Sequence, residues 1–330
     1  MEDVLVKKKR IEWIDIAKGI CIFLVVWGHS GDNPFGMVMS WFRIPLFFFL
    51  SGILFKPVAV EIYDRFFYYK FVKMIVPYIS YGIVVSVLFN IGYPTRMYQY
   101  FVRVLIGGHR LDGPAGVFWF ITVLLCTQLL FGYLSRYKYR TQIIVLTILY
   151  LIGHLIAMSD VDDVHVPWHL NAVTGAVCYY ALGYYLKSFL QNNIKNWNAI
   201  LLSLFVVGGM IFYTSYFDYI YMINLKTNVF HHIILDLIVP LCSAFLVCTF
   251  SNFLNSFNFS KIISWIGQNS ITIMYLHLPF NIFVWNFYKH NSVLIFILVG
   301  MIFPLLVGWI LKKNKYTKHI FISPDIDKKY

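Results

Sequence analysis

Three ionisable residues, Asp15, Lys18 and His29, lie in the first long apolar stretch of the sequence. If this stretch is a helix, the spacing at about 100° per residue brings Lys18 and His29 to within about 20° of each other. They are then about 16 Å apart along the axis, and Asp15 falls within about 40° of His29 on the same face. Charged groups at membrane depth must face protein or water, so this shared face is a candidate functional site in a single chamber.

The chemistry that these residues suggest is proton transfer beside a cation. An imidazole titrates near neutral pH, so His29 can take a proton from a hydroxyl group. Lys18 can stabilise negative charge that develops in a reaction, or fix an anionic donor. The structural alternatives are a hydrogen-bonded helix end for His29 and, for Lys18, an ion pair with Asp15 three residues earlier.

Further polar residues extend this candidate site. Arg43 lies at the edge of a very apolar segment, on the side where the His29 segment ends, so the two can share one cavity. A guanidinium keeps its charge and needs an anionic partner, water or a substrate phosphate; snorkelling to the interface is the alternative. His277, beside Pro279, is a second polar candidate or a structural histidine. Trp119 is expected to line the cavity or the membrane interface.

The elements that must position these residues are membrane helices. The chain is 59% hydrophobic and 13% charged, whereas soluble proteins have about 25% charged residues. Ten apolar runs have the length of about 20 residues that a spanning helix needs. They cover approximately residues 11–31, 37–55, 71–92, 115–134, 141–158, 168–187, 198–217, 231–252, 262–285 and 292–311. The predicted fold is all-α: a polytopic membrane protein with about ten transmembrane helices.

The Lys and Arg residues predict the orientation of these spans. Twenty lie on the side of the N-terminus and five on the other side, which places both termini in the cytoplasm. The predicted domains are a basic N-terminal segment over 1–10, a transmembrane domain over 11–311 and a cytoplasmic tail over 312–330. The expected location is the cell (plasma or inner) membrane, crossed many times.

The same distribution excludes several classes of function. The net charge of +12 is mostly a topology signal, with some attraction to anionic lipid, so nucleic-acid binding is not expected. The five cysteines all lie in apolar runs without ligand spacing, so neither a disulfide framework nor a metal site is expected. The outer residues Arg96, Arg103 and Arg110 depart from the inside-positive trend. We therefore expect them to serve an anionic acceptor, such as a lipid-linked or phosphorylated glycan.

Several short motifs occur in a fixed order along most of the chain. They are Asp15-Ile-Ala-Lys18-Gly19 with Gly28-His29, Phe42-Arg43-Ile-Pro45 with Ser51-Gly52, Lys70-Phe-Val-Lys73 with Pro77-Tyr78, Phe118-Trp119-Phe120, Tyr179-Tyr180-Ala-Leu-Gly183-Tyr184, and Gly267-Gln-Asn-Ser270 with Tyr275-Leu-His277. This order resembles the acyltransferase-3 family of membrane acyltransferases, and more narrowly its fucose 4-O-acetylase-like branch. Many members of the family have Arg where this chain has Lys18. A lysine keeps the positive charge but lacks the bidentate fork of a guanidinium.

The resemblance implies an activity and a set of site residues. Family members typically have ten membrane helices and move an acyl group, usually acetyl from cytoplasmic acetyl-CoA, to a carbohydrate hydroxyl. No bound cofactor is implied; acetyl-CoA is the donor substrate, and a surface polysaccharide or lipid-linked glycan is the acceptor. Transfer in one step and transfer through an acylated residue both remain open. The implied catalytic residues are His29, Lys18 and Arg43. The candidate substrate-binding residues are Asp15, Trp119, His277, Arg103 and Arg110.

Two other functions fit a chain of this kind. A transporter or flippase of lipid-linked glycans would also place charges within its helices, although no inverted repeat of the kind many transporters carry is visible. A membrane O-acyltransferase of an unrelated fold would also use a membrane histidine. The spacing in the first helix and the number of spans argue against that second alternative.

Overall fold

The computed structural model of the protein describes residues 10–31, 33–159, 166–289 and 292–326. The predicted all-α class is confirmed, because the structure is 77% helical and has no strand among the residues it describes. Most of the predicted N-terminal segment and the last four residues of the predicted tail lie outside these ranges. In lipid the backbone must satisfy its own hydrogen bonds, and apolar runs of this length do so as helices.

Fourteen α-helices of five or more residues are present in the described part of the chain. They are α1 (Glu12–Trp27), α2 (Gly36–Ser40), α3 (Arg43–Ile53), α4 (Tyr63–Leu88), α5 (Pro94–Ile106), α6 (Trp119–Leu134), α7 (Tyr139–Ala157), α8 (Leu170–Tyr185), α9 (Lys187–Asn193), α10 (Trp197–Tyr216), α11 (Leu235–Leu254), α12 (Ser260–Gln268), α13 (Ser270–Phe287) and α14 (Val293–Lys313).

Seven helical segments among the described residues are long and apolar enough to cross a membrane. They are Gly36–Ile53, Val60–Leu88, Gly113–Leu134, Tyr139–Ala157, Trp197–Tyr216, Leu235–Leu254 and Val293–Lys313. The segments α1, α8 and α12–α13 complete the predicted set of ten but do not meet this criterion, so the count of ten is not confirmed. The orientation of the two termini stays a prediction.

The break in the second predicted span lies before its proline. The helix α2 ends before Trp41, the backbone leaves helical geometry at Phe42, and α3 then begins at Arg43. Pro45 is in the first turn of α3, where a missing backbone N–H removes no intrahelical bond. The polar residue Arg43 therefore stands at the start of a helix and close to the end of α1.

The first helix, α1, is the central element of the fold and packs against α3, α11, α12, α13 and α14. Glycines allow the closest of these contacts: a Cβ at Gly267 would overlap the carbonyl of Asp15, and a Cβ at Gly19 would overlap the carbonyl of Ile263. Small residues let membrane helices approach to backbone contact. The position of His29 at the end of α1 is consequently fixed by several neighbouring helices.

The chain after α14 turns back onto the helix bundle. Residues Lys315–Ile322 form a short helix and one π-turn, which pack against α4 and α14. The ring of Phe321 lies 5.2 Å from the ring of Tyr81 on α4. This segment, the docked tail, is thus part of the fold.

Candidate functional site

A cavity of about 150 Å³ lies at the C-terminal end of α1, and we call it the His29 cavity. The side chain of His29 is exposed to this space. The other walls come from the start of α3, the start of α6, α13 and the loop over residues 218–234. Its polar and aromatic lining includes His29, Arg43, Ser40, Trp119, Phe120 and Lys226. The structure therefore brings together His29, Arg43 and Trp119, as the sequence predicts.

The second histidine of the prediction, His277, stands beside His29. The two ring centroids are 5.4 Å apart and the ring planes are inclined by 39°. The Nδ1 atom of His277 lies 2.9 Å from the carbonyl oxygen of Ile273. A carbonyl only accepts hydrogen bonds, so Nδ1 carries the proton and Nε2 keeps a lone pair in the neutral ring. Nε2 is buried and has no partner among the described residues, so it can orient the neighbouring imidazole.

Arg43 is held directly against the end of α1. A Cβ at Gly28 would overlap the guanidinium of Arg43, so glycine at position 28 leaves the space that this side chain occupies. The Nη1 atom of Arg43 is buried and has no hydrogen-bond partner among the described residues. A fixed cation next to His29 is suited to stabilise negative charge that develops on a reacting oxygen.

Sequence reasoning missed Lys226 as a site residue. Its Nζ atom donates a hydrogen bond to the carbonyl of Gly116 at 3.0 Å, and both residues line the cavity. Burial lowers the pKa of Lys226, and the nearby carboxylate of Asp112 opposes this effect. The available signal was that Lys226 is one of five cations on the predicted outer side of the membrane.

Trp119 is supported by an unusual stretch of backbone. Trp168 and His169, just before α8, both have positive φ angles, 56° and 52°, which is costly for residues with side chains and is often found near functional sites. The ring of His169 lies 5.6 Å from the ring of Trp119. The indole of Trp168 donates to the carbonyl of Leu105 at 2.9 Å. Sequence patterns gave no sign of this support.

Lys18 lines a different space from His29. Two cavities of about 340 and 230 Å³ adjoin each other near the N-terminal ends of α1 and α4, and they share four lining residues. We call them together the Lys18 vestibule. Its cationic side chains are Lys18, Lys56, Lys70 and Lys73. The single chamber expected from the shared face of α1 is thus divided into two spaces.

The wall between these spaces is thin. On α6, Phe120 lines the His29 cavity and the next residue, Ile121, lines the Lys18 vestibule. On α13, Met274 lines the His29 cavity and the next residue, Tyr275, lines the Lys18 vestibule. The two spaces therefore adjoin each other at α6 and α13.

Three further candidates lie outside both spaces. Asp15 pairs with Arg10, with Nε and Oδ2 2.5 Å apart, so the ion pair with Asp15 that was the structural alternative for Lys18 is not formed. Arg103 lies 3.8 Å from the carboxylate of Asp112 and is half exposed. Arg110 is exposed. The structure does not bring these residues to the His29 cavity, and their roles in binding stay predictions.

Comparison with known proteins gives one match. A family model described as an acyltransferase domain matches residues 11–313 of the chain. No curated protein and no solved structure matches it. The matched region runs from the start of the first helix to the end of α14, so it contains the His29 cavity and every lysine of the Lys18 vestibule.

Proposed function

Because the chain belongs to the acyltransferase-3 family, we propose that this membrane acyltransferase moves an acetyl group from acetyl-CoA to a carbohydrate hydroxyl. The observation that carries the proposal is the pair of spaces on either side of one thin wall. Four lysines line one space, and the other holds an imidazole beside a guanidinium that forms no ion pair with the described residues. The proposed acceptor is a cell-surface polysaccharide or lipid-linked glycan, and the proposed location is the cell membrane. The fucose 4-O-acetylase-like branch stays a prediction.

The Lys18 vestibule suits the donor. CoA carries several phosphate groups, which ammonium groups bind as point charges. Four lysines line the vestibule, and no acidic side chain is among the lining residues that the structure describes. The predicted orientation opens this space to the cytoplasm, where acetyl-CoA is available. The pantetheine arm is long and flexible, so the thioester can reach the wall while the phosphates remain with the lysines.

The His29 cavity suits the acceptor and the chemical step. The sugar hydroxyl oxygen attacks the thioester carbonyl carbon while the His29 imidazole accepts the hydroxyl proton. Arg43 stabilises the negative charge on the carbonyl oxygen. The carbon–sulfur bond then breaks, and the imidazolium returns its proton to the CoA sulfur, so the products are an acetyl ester and free CoA thiol. His277 acts as a positioning residue that holds the His29 ring.

The test compares wild-type cells with cells that carry His29→Gln, and measures both the O-acetyl content and the amount of surface polysaccharide. Loss of acetyl groups from polymer that still reaches the surface is the expected result. Loss of the polymer itself would support the flippase alternative. A second arm supplies radiolabelled acetyl-CoA to inverted membrane vesicles. Absence of label in glycan at saturating donor would overturn the proposed donor.

A further inference from the structure

The His29 cavity contains two cations that form no ion pair with the described residues; the carboxylate of Asp112 lies near Lys226, but its ion pair is with Arg103. Arg43 and Lys226 both line it, and no acidic side chain is among its described lining residues. None of the ion pairs in the described parts of the chain involves either residue. The chemical step proposed above uses one cation, Arg43, so Lys226 remains to be explained.

The ammonium group of Lys226 has spare hydrogen-bonding capacity. It has three N–H donors, and its described hydrogen bond goes to the carbonyl of Gly116. Burying such a group costs free energy unless it is paired. A ligand group with negative charge would satisfy the remaining donors and offset that cost.

The loop around Lys226 is built to hold this side chain in place. The Oδ1 atom of Asn224 accepts the backbone N–H of Lys226 at 3.0 Å, and Asn224 and Val229 exchange a pair of backbone hydrogen bonds. These contacts close a tight turn, in which the Asn side chain imitates a backbone acceptor. Lys226 is therefore presented to the cavity by a fixed turn.

A buried network fixes the base of the same loop. The Oδ2 atom of Asp236, which is fully buried, accepts the backbone N–H groups of His231 and His232 at 2.8 and 2.9 Å. His154 lies 3.2 Å from the same oxygen. At the other end of the loop, the indole of Trp41 donates to the carbonyl of Tyr221 at 2.6 Å. Such anchoring reduces the entropy lost when a ligand binds.

We propose, on the basis of the acyltransferase function proposed above, that Lys226 binds an anionic substituent of the acceptor sugar, a carboxylate or a phosphate. The acceptor is then an acidic saccharide whose charged group is held by Lys226 while a neighbouring hydroxyl faces His29. This places recognition of the anion inside the cavity, in contrast to the exposed outer residues Arg103 and Arg110.

The test measures the binding of simple sugars to the purified full-length chain in neutral-lipid nanodiscs. The probes are methyl glucuronide, glucose 1-phosphate, methyl glucoside and acetate. We expect the two acidic sugars to bind about tenfold more tightly than methyl glucoside, as for one charge-assisted hydrogen bond. Lys226→Gln should remove this preference and Lys226→Arg should keep it. The matched control is Lys289→Gln, at an exposed lysine on the same predicted side.

Several results would overturn the inference. Equal binding of acidic and neutral sugars, binding of acetate as tight as that of methyl glucuronide, or no binding of any sugar would each do so. So would a preference that depends on Arg103 and Arg110 and survives Lys226→Gln. The proposed function fails separately: acidic sugars would bind with the expected preference, yet no label from acetyl-CoA would reach glycan.

Discussion

The His29 cavity and the Lys18 vestibule are both basic, but they hold their charges in different ways. The lysines of the vestibule come from α1, α4 and the linker between α3 and α4, and they surround spaces of about 340 and 230 Å³. The His29 cavity is smaller, about 150 Å³, and its cations are fixed by a glycine contact and a tight turn. Several ammonium point charges suit a long ligand with several phosphates, whereas an imidazole beside a fixed guanidinium suits one reacting hydroxyl.

Replacing His29 tests the catalytic half of this contrast most strongly. His29→Gln should lower acetyl transfer by about 100-fold or more, because a general base typically contributes that much. Binding of acetyl-CoA should change little, since the vestibule is separate. The measurements are label transfer and equilibrium donor binding, with Lys261→Gln, at an exposed residue of α12, as control. Undiminished transfer by the variant would remove His29 from the mechanism.

Replacing Lys18 tests whether the vestibule binds the donor while the His29 cavity carries out the chemical step. If Lys18 serves the donor, Lys18→Gln should raise the KM for acetyl-CoA by about tenfold or more, the worth of a charge-assisted hydrogen bond, and leave kcat nearly unchanged. Lys18→Arg should retain most donor affinity, and the exposed Lys261→Gln is the matched control. A fall in kcat with an unchanged KM would instead return Lys18 to the chemistry of His29.

His277 tests whether orientation matters within the smaller cavity. His277→Gln removes the ring that lies 5.4 Å from the ring of His29. If His277 positions that imidazole, kcat should fall about tenfold, an effect of the size expected for one hydrogen bond. The KM values for donor and acceptor should stay similar, because neither substrate loses a contact. Steady-state kinetics and thermal unfolding of the same preparation separate this effect from loss of folding. An unchanged kcat in a folded variant contradicts the positioning role.

The pH dependence of acceptor binding gives the smallest expected effect. Burial lowers the pKa of Lys226, so its positive charge is lost at a lower pH than that of an ordinary lysine. The preference for methyl glucuronide over methyl glucoside should therefore decline as the pH rises, by a few-fold before exposed lysines titrate. Lys226→Arg should make the preference independent of pH over that range. A wild-type preference for methyl glucuronide that increases as the pH rises would contradict the proposed role of Lys226.

Much of the fold and part of the site could be predicted from the sequence. Apolar runs predicted helices, because the backbone N–H and C=O groups find no hydrogen-bond partner in lipid and must bond to each other within the helix. His29, Arg43 and His277 are far apart in the sequence, yet they could be grouped because each is a polar residue near an end of, or within, an apolar run. The charge of Lys226 was also visible, but the turn that directs it into the cavity depends on local backbone geometry that hydropathy does not encode.

Lys18 shows where the pattern fails. The angle between Lys18 and His29 on α1 was a sound guide to a common face, but an angle does not tell what fills the distance along the axis. Ile22 and Val25 on that face are buried, and residues of α6 and α13 close the gap. The ion pair of Asp15 was not visible in this pattern either, because its partner Arg10 lies just outside the helix.

The docked tail has a practical consequence for work with this protein. Ile322 forms part of the lining of the Lys18 vestibule, and the ring of Phe321 meets the ring of Tyr81 edge to face. A fluorescent or affinity tag fused after this segment would be expected to disturb its packing, and this segment shapes the proposed donor entrance. Kinetics from such fusions therefore report on the linker as well as on the enzyme, and a cleavable tag is the safer choice.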